Sequence, residues 1–296
     1  MKTTITRRDL LKTAAFAIGG SVLLNRPFPV WADESTSTSK VVLIRNKALF
    51  DKGERPDTNI CSQMLDEAVC SLTGKSDPKE AWDIIINKND VLGIKTNRWN
   101  NLPTPPELEQ ELKKRALQIG IQEGNISIND RSVLQDPVFQ RSTALINIRP
   151  LRTHAWSGVG SLVKNYITFV KDMPAYHPDS CANLATLHDL PEVKGKSRLH
   201  ILVMFSPQFH HNAAHHFSEE YTWKYNGLLV GFDPVAVDSV GLRILQAKRN
   251  EYFKEDRPLN PPAKHIALAD TQYHLGTSDP SKIELVKLGW DEQSFV

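Results

Sequence analysis

The chain has 296 residues, with 36 Lys+Arg against 34 Asp+Glu, enough length for one large α/β domain or two small ones. So even a balance excludes a nucleic-acid binder working through a basic surface field, because phosphate neutralisation dominates such affinity. The three cysteines, Cys61, Cys70 and Cys181, are too few for a disulfide framework.

The opening segment, "MKTTITRRDLLKTAAFAIGGSVLLNRPFPVWADE", sets Arg7 and Arg8 ahead of Leu10, Leu11 and Lys12 and an apolar stretch over 13–24. This is the pattern of a twin-arginine export signal. The stretch is shorter than the ~20 apolar residues of a bilayer-spanning helix. Val30-Trp31-Ala32 ends it with a small residue suited to signal peptidase. We expect residues 1–32 to be a signal cleaved after Ala32, with the twin-arginine translocase as export partner, the periplasm as destination and no stable membrane span in the mature form. Cleavage removes Lys2, Arg7, Arg8, Lys12, Arg26 and Asp9, leaving 31 basic against 33 acidic residues.

Residues 33–39, "DESTSTS", read as a flexible leader, and 40–296 as a single α/β domain. "KVVLIR" from Lys40 is a β-branched run and so a strand. Ile60, Met64, Ala68 and Leu72 then repeat at four-residue spacing, which predicts a helix. "DVLGIKTN" at 90–97 is the next strand. Thr104, Pro105, Pro106 and Glu107 open a further helix, with Thr104 as cap and Pro105 at the first helical position, ending near Gly120. Strands are predicted at "NISIN", "TALINI", "HILVMF" and "GLLVGF", and helices over 158–170, 234–249 and 262–274. Strands alternating with helices specify an α/β fold, a mostly parallel sheet with helices on both faces.

Lys95 and Asn97 close one predicted strand, and the stretch from Arg152 to Lys164 follows another. Ligands of open parallel sheets bind outside the carboxyl ends of the strands, so both segments can converge on one crevice. Gly158 and Gly160 would let backbone amides approach a ligand at the start of a helix. With Lys95, Arg152, His154 and Lys164 the crevice suits a small anion, a carboxylate or a phosphate. Lys164 and Asn165 lie amid Val159, Leu162, Val163, Ile167 and Phe169, so part of their helix is buried, and a buried charge needs a partner or a task. The alternative is that Arg152 and Lys164 are solvated, His154 satisfies a carbonyl and Asn165 caps a helix.

Asp233 before Pro234 reads as a helix cap. Asp238 sits among Val235, Val237, Val240 and Leu242, where a lone carboxylate is costly. We expect it to pair with Lys95, Lys164 or Arg152, in a structural or a catalytic role. In "FHHNAAHHFSEE", helical spacing would put His211, His215 and Glu219 on one face as ligands for a divalent metal. A polar segment with incidental metal affinity accounts for the same residues.

"VLGIKTN", "LINIRPLRTHAWSGVGSLVKNYITFV", "GLLVGFDPVAVDSVGLRIL" and "HIALADTQYHLGTSDPSKIELV" together resemble the family catalogued as domain of unknown function 362. Lys95, Asn97, His154, Lys164, Asn165, Asp233 and Asp238 stand at positions matching that family's motifs. Thr96 departs from its usual proline and Arg152 from its usual lysine. The resemblance implies a ferredoxin-like cysteine cluster in many members, but this sequence has no Cys-x-x-Cys, so no iron–sulfur cluster is expected. Two functions stay open. One is an enzyme acting on a small anion, with Lys95 and Arg152 holding it and His154, Lys164 or Asp238 in catalysis; the other is a non-catalytic periplasmic metal- or anion-binding or redox accessory protein.

Overall fold

The computed structural model describes residues 38–210 and 217–296. The expected signal at 1–32 and the histidines His211 and His215 lie outside these described residues.

The first strand, β1 (Ser39–Arg45), shows how the sheet is built. Successive side chains of a strand point to opposite faces, and Val41 and Leu43 enter one core while Val42 and Ile44 enter the other. α1 (Thr58–Thr73) follows, begun by the Asp57 carboxylate accepting from Asn59 N and Ile60 N and ended by Gly74 in the left-handed region at φ 71°. α2 (Pro78–Ile85) was not anticipated; Asp77 caps it by accepting from Glu80 N, with proline at its first turn. β2 (Leu92–Lys95) leads to α3 (Pro106–Ile119), which ends at Gly120 as expected. Its start differs from expectation. Pro105 occupies the cap position without a side-chain bond, and Thr104 Oγ1 accepts from Asn97 N, so the threonine ties down the loop after β2 and caps nothing.

β3 (Ile126–Asn129) is followed by β4 (Ala144–His154), which runs six residues beyond the predicted end at Ile148. β5 (Gly158–Gly160) folds back on it, pairing Arg152 with Gly160 and His154 with Gly158. The helix predicted over 158–170 is therefore corrected. Gly158 has φ +71°, outside the helical region, and only α4 (Leu162–Asn165) and a 3-10 turn at Tyr166–Phe169 are helical. β6 (Ser197–Gln208), β7 (Gly227–Gly231), α5 (Pro234–Phe253), α6 (Lys264–Thr271) and the unforeseen β8 (Ile283–Gly289) follow, with short helical turns such as Pro137–Gln140 and Pro178–Cys181 in the connections.

The sheet runs β3-β2-β4-β6-β7-β1-β8, with β5 paired only to β4. Four of its neighbouring pairs are parallel, and β7 alone on this path runs against both neighbours. This is the expected mostly parallel α/β arrangement. Met64, Leu65 and Val69 of α1, Trp82 of α2 and Leu108 and Leu112 of α3 fill one face. Leu162 and Val163 of α4, Val237 and Val240 of α5 and Ile266 of α6 fill the other. No helix of the described residues is long and apolar enough to cross a membrane.

Candidate anion site

β4 carries Arg149, Arg152 and His154, all buried. In an unbroken strand, residues 149 and 152 would point to opposite faces. The pairing with β6 shifts between Pro150, opposite Val203, and Arg152, opposite Gln208, and such an irregularity re-aims side chains. Arg149 also packs on Gly160, the residue paired with Arg152: a Cβ there would stand 2.4 Å from Arg149 Nη2. A Cβ at Gly160 would thus push the Arg149 guanidinium aside, and Gly158 lets the backbone of 261–263 pass at 2.6 to 2.9 Å from where a Cβ would be. Both lie in β5, not at the start of a helix as the sequence suggested.

The Arg152 guanidinium carbon lies 4.0 Å from the centroid of the Trp99 ring, a cation–π stack. Its Nε and Nη1 are buried with no hydrogen-bond partner among the described residues, as is Arg149 Nε. Burial, then the neighbouring Arg149, push the Arg152 pKa well below its ordinary value. Burial brings Arg149 down to about 10, against the pull of Asp130 and Asp238.

Lys164, on α4, is 3% exposed. Its Nζ donates to Cys181 Sγ at 3.5 Å. Burial lowers it to about 8, with Cys181 acting the other way and Arg149 and Arg152 adding to the fall. Cys181 is in turn pushed up by burial and drawn down by Lys164. His154 falls far below the ordinary histidine range through burial, then Lys164, Arg152, Arg149 and His177, so the ring is neutral. Its Nδ1 accepts from Trp156 N at 3.3 Å, which assigns the ring proton to Nε2 and leaves that nitrogen a donor. His265 on α6 is wholly buried with neither ring nitrogen partnered among the described residues, and burial, Lys164 and Arg149 bring it down to about 3.

Lys95 is also wholly buried, but it is engaged: Nζ donates to Asp130 Oδ1 at 2.6 Å and to Thr96 O at 2.7 Å. Burial lowers it to about 8. Burial raises the Asp130 carboxyl, yet Lys95 and the Arg98 N–H outweigh that and hold it below its ordinary value. Asn165 Nδ2 donates to Lys95 O, Asn147 Oδ1 and Ile148 O, at 3.2, 2.8 and 3.3 Å, and so pins α4 across β2 and β4. Asn165 Oδ1 and Asn97 Oδ1 are buried and unpartnered among the described residues.

Asp238 takes other partners than the expected lysine or arginine. Its Oδ2 accepts from Ser161 Oγ at 2.7 Å and Val163 N at 2.9 Å, and its Oδ1 from Leu162 N at 2.9 Å. The carboxylate of α5 caps α4, because the first amides of a helix lack partners within it. Burial raises its pKa to about 6, against those bonds and Arg149. Asp233 is the cap foreseen, accepting from Val235 N and Ala236 N.

The structure therefore brings Arg152, His154 and Lys164 together, with Lys95, Asn165 and Asp238 around them. Arg149 and His265 were missed. The charge of Arg149 inside the apolar run "LINIRP" is the signal that could have found the first; nothing local marks the second. Glu219 begins a three-residue 3-10 turn, and Ser218 before it is extended at φ −140°, ψ 121°, so Glu219 does not continue a helix entering from residues before Ser218. His210, at the head of the histidine run, packs its ring on Tyr221 and Phe253. Among the described residues no group of three His, Cys, Asp or Glu is disposed to hold a metal.

The model of the family described as Domain of unknown function (DUF362) matches residues 113–243, a span from α3 to the first turns of α5 that contains Arg149, Arg152, His154, Lys164 and Asp238. No curated protein and no solved structure matches the chain.

Proposed function

We propose, from the premise that this chain belongs to the DUF362 family, whose description fixes no reaction, that it is an exported protein binding a small anion between Arg149, Arg152, Lys164 and His154. The supporting observation is Arg152, 5% exposed, whose Nε and Nη1 have no partner among the described residues. A buried guanidinium without an acceptor is costly, and an oxyanion accepts from its fork in a bidentate geometry. The neutral His154 would give an Nε2–H donor to the same anion. Lys164, lowered to about 8 and, unlike Lys95, not bonded to a carboxylate among the described residues, is a group able to exchange a proton near neutral pH. An enzyme working by proton transfer would use it, with Asp238 as a positioning residue that fixes the first turn of α4. The twin-arginine pattern of residues 1–32 supports export to the periplasm.

Calorimetry with inorganic phosphate at pH 8, in two buffers of different ionisation enthalpy, tests this reading. A bound anion stabilises the lysine cation, so binding takes up protons at this pH and the measured heat depends on the buffer. Lys164→Met removes that dependence. Absence of any heat with phosphate or small carboxylates, or an unchanged proton uptake in Lys164→Met, overturns it.

A further inference from the structure

The site has a definite charge, and that charge selects among anions. Four cations act on one another here. Lys95 is tied to Asp130 at 2.6 Å, which makes one neutral pair. Arg149, Arg152 and Lys164 remain, each acting on the pKa of His154. The carboxylates that act on these three are Asp130, already paired, and Asp238, which acts on Arg149. His154 and His265, both neutral by burial, add no charge. Among the described residues, three cations against Asp238 leave an excess of two positive charges in a site whose cationic side chains are at most 5% exposed.

We propose that the ligand is a compact tetrahedral dianion, a phosphate or sulfate group free or at the head of an ester, and that monoanions are poor occupants. The proposal rests on the anion-site reading above and narrows it. Charge complementarity is the first ground: a monoanion would leave one buried charge uncompensated, and water screens little there. Shape is the second. Arg149 and Arg152 come from one strand three positions apart, and Lys164 from the short helix that follows β5. Arg149 Nη2 packs on Gly160, the residue paired with Arg152, and two guanidinium forks with an ammonium offer several N–H donors, which suits several oxygens on one centre. An extended dicarboxylate would place its second charge away from them. His154 Nε2–H is a further donor that remains available whatever the charge of the ligand.

The experiment is titration calorimetry on the full chain at pH 7 and constant ionic strength. The probes are sulfate, inorganic phosphate and glycerol 1-phosphate against acetate, nitrate and succinate. Sulfate and phosphate should bind at least about tenfold more tightly than acetate and nitrate, since one uncompensated charge in such a site exceeds the ~1.4 kcal/mol that tenfold represents. Equal binding of glycerol 1-phosphate would identify the head of an ester as the ligand, and its failure beside phosphate the free oxyanion. Lys164→Met lowers the excess from two charges to one and should bring sulfate and nitrate toward parity. Nitrate or succinate binding as tightly as sulfate to the unmodified chain overturns the dianion assignment and leaves the anion site standing. Binding of none of the probes overturns both. Because the selectivity is read first on the unmodified chain, the test survives a variant that does not fold.

Discussion

Arg152→Met should make the protein more stable while abolishing anion binding. Methionine keeps an apolar stem in the packing that the arginine stem now fills, and it removes two groups, Nε and Nη1, that are buried without a partner among the described residues. Leaving such a donor unsatisfied costs about 1–3 kcal/mol each. Against this stands the stack on Trp99 at 4.0 Å, where a cation–π contact is worth about 1–2 kcal/mol. Repulsion from Arg149, which also lowers the Arg152 pKa, adds to the gain from substitution. The balance centres on a stabilisation of about 2–3 kcal/mol, which for a domain of this size raises the melting midpoint by roughly 4–12 °C. The assay is a thermal melt in a zwitterionic buffer, with and without added sulfate. The unmodified chain should melt higher with sulfate, and Arg152→Met should melt at the same raised temperature in both conditions. A lower midpoint for the variant, or a sulfate shift as large as in the unmodified chain, would refute the reasoning, because it would mean that the guanidinium is satisfied by the fold itself.

Acid should weaken the fold through its buried histidines. Burial brings His188 to about 4 and His265 to about 3, so the unfolded chain takes up protons near pH 6.5 while the folded chain does not. Stability present at neutral pH is lost as the pH falls below 6.5 toward about 4. Denaturant melts at pH 7 and pH 5 should show the midpoint falling, and His188→Phe should lessen the fall. Asp233→Ala removes the acceptor for Val235 N, Ala236 N, Ser39 Oγ and Thr277 N and should cost about 2 kcal/mol or more by equilibrium denaturation. His211→Ala with His215→Ala, outside the described residues, should remove loosely held divalent metal by elemental analysis and shift stability by less than ~0.5 kcal/mol. Replacing Arg7 and Arg8 by lysine should leave unprocessed protein in the cytoplasm, read by fractionation and N-terminal sequencing; a mature chain still beginning at Asp33 would contradict it.

The strands were legible where β-branched runs are long: "VVLI", "ALINI", "HILVMF" and "LLVG" all form buried strands. What escaped the sequence lies where side-chain identity and position disagree. Arg149, Pro150 and Arg152 lie beyond the predicted end of "TALINI", yet they continue a buried strand, because backbone pairing with β6 and β5 carries the strand on whatever the charge of its side chains. The apolar spacing of Val159, Leu162 and Val163 mimics a helix, but a hairpin and a single helical turn bury the same three residues. β8 escaped because its half-buried, alternating residues include Glu284 and Lys287, as suits an edge. For the site, proximity along the chain made Arg152, His154 and Lys164 visible together. Asp238 was rightly singled out as a buried carboxylate and wrongly given a cation for a partner, since a sequence does not display free backbone amides at the start of a distant helix.

The placement of both arginines on β4 constrains how this protein could acquire a new ligand. β4 pairs with β2 over Ala144–Asn147, with β6 from Leu145 to Arg152 and with β5 from Arg152 to His154, and a strand held by three neighbours cannot change its path without disturbing them. Loops ordinarily absorb the insertions by which related proteins diverge in specificity, but here the charged floor belongs to the least adjustable part of the sheet. Divergence would have to proceed through the walls: Trp99 on the loop after β2, Trp156 in the turn between β4 and β5, and His265 on α6. The floor would then keep its demand for negative charge while these three positions decide what the charge may be attached to.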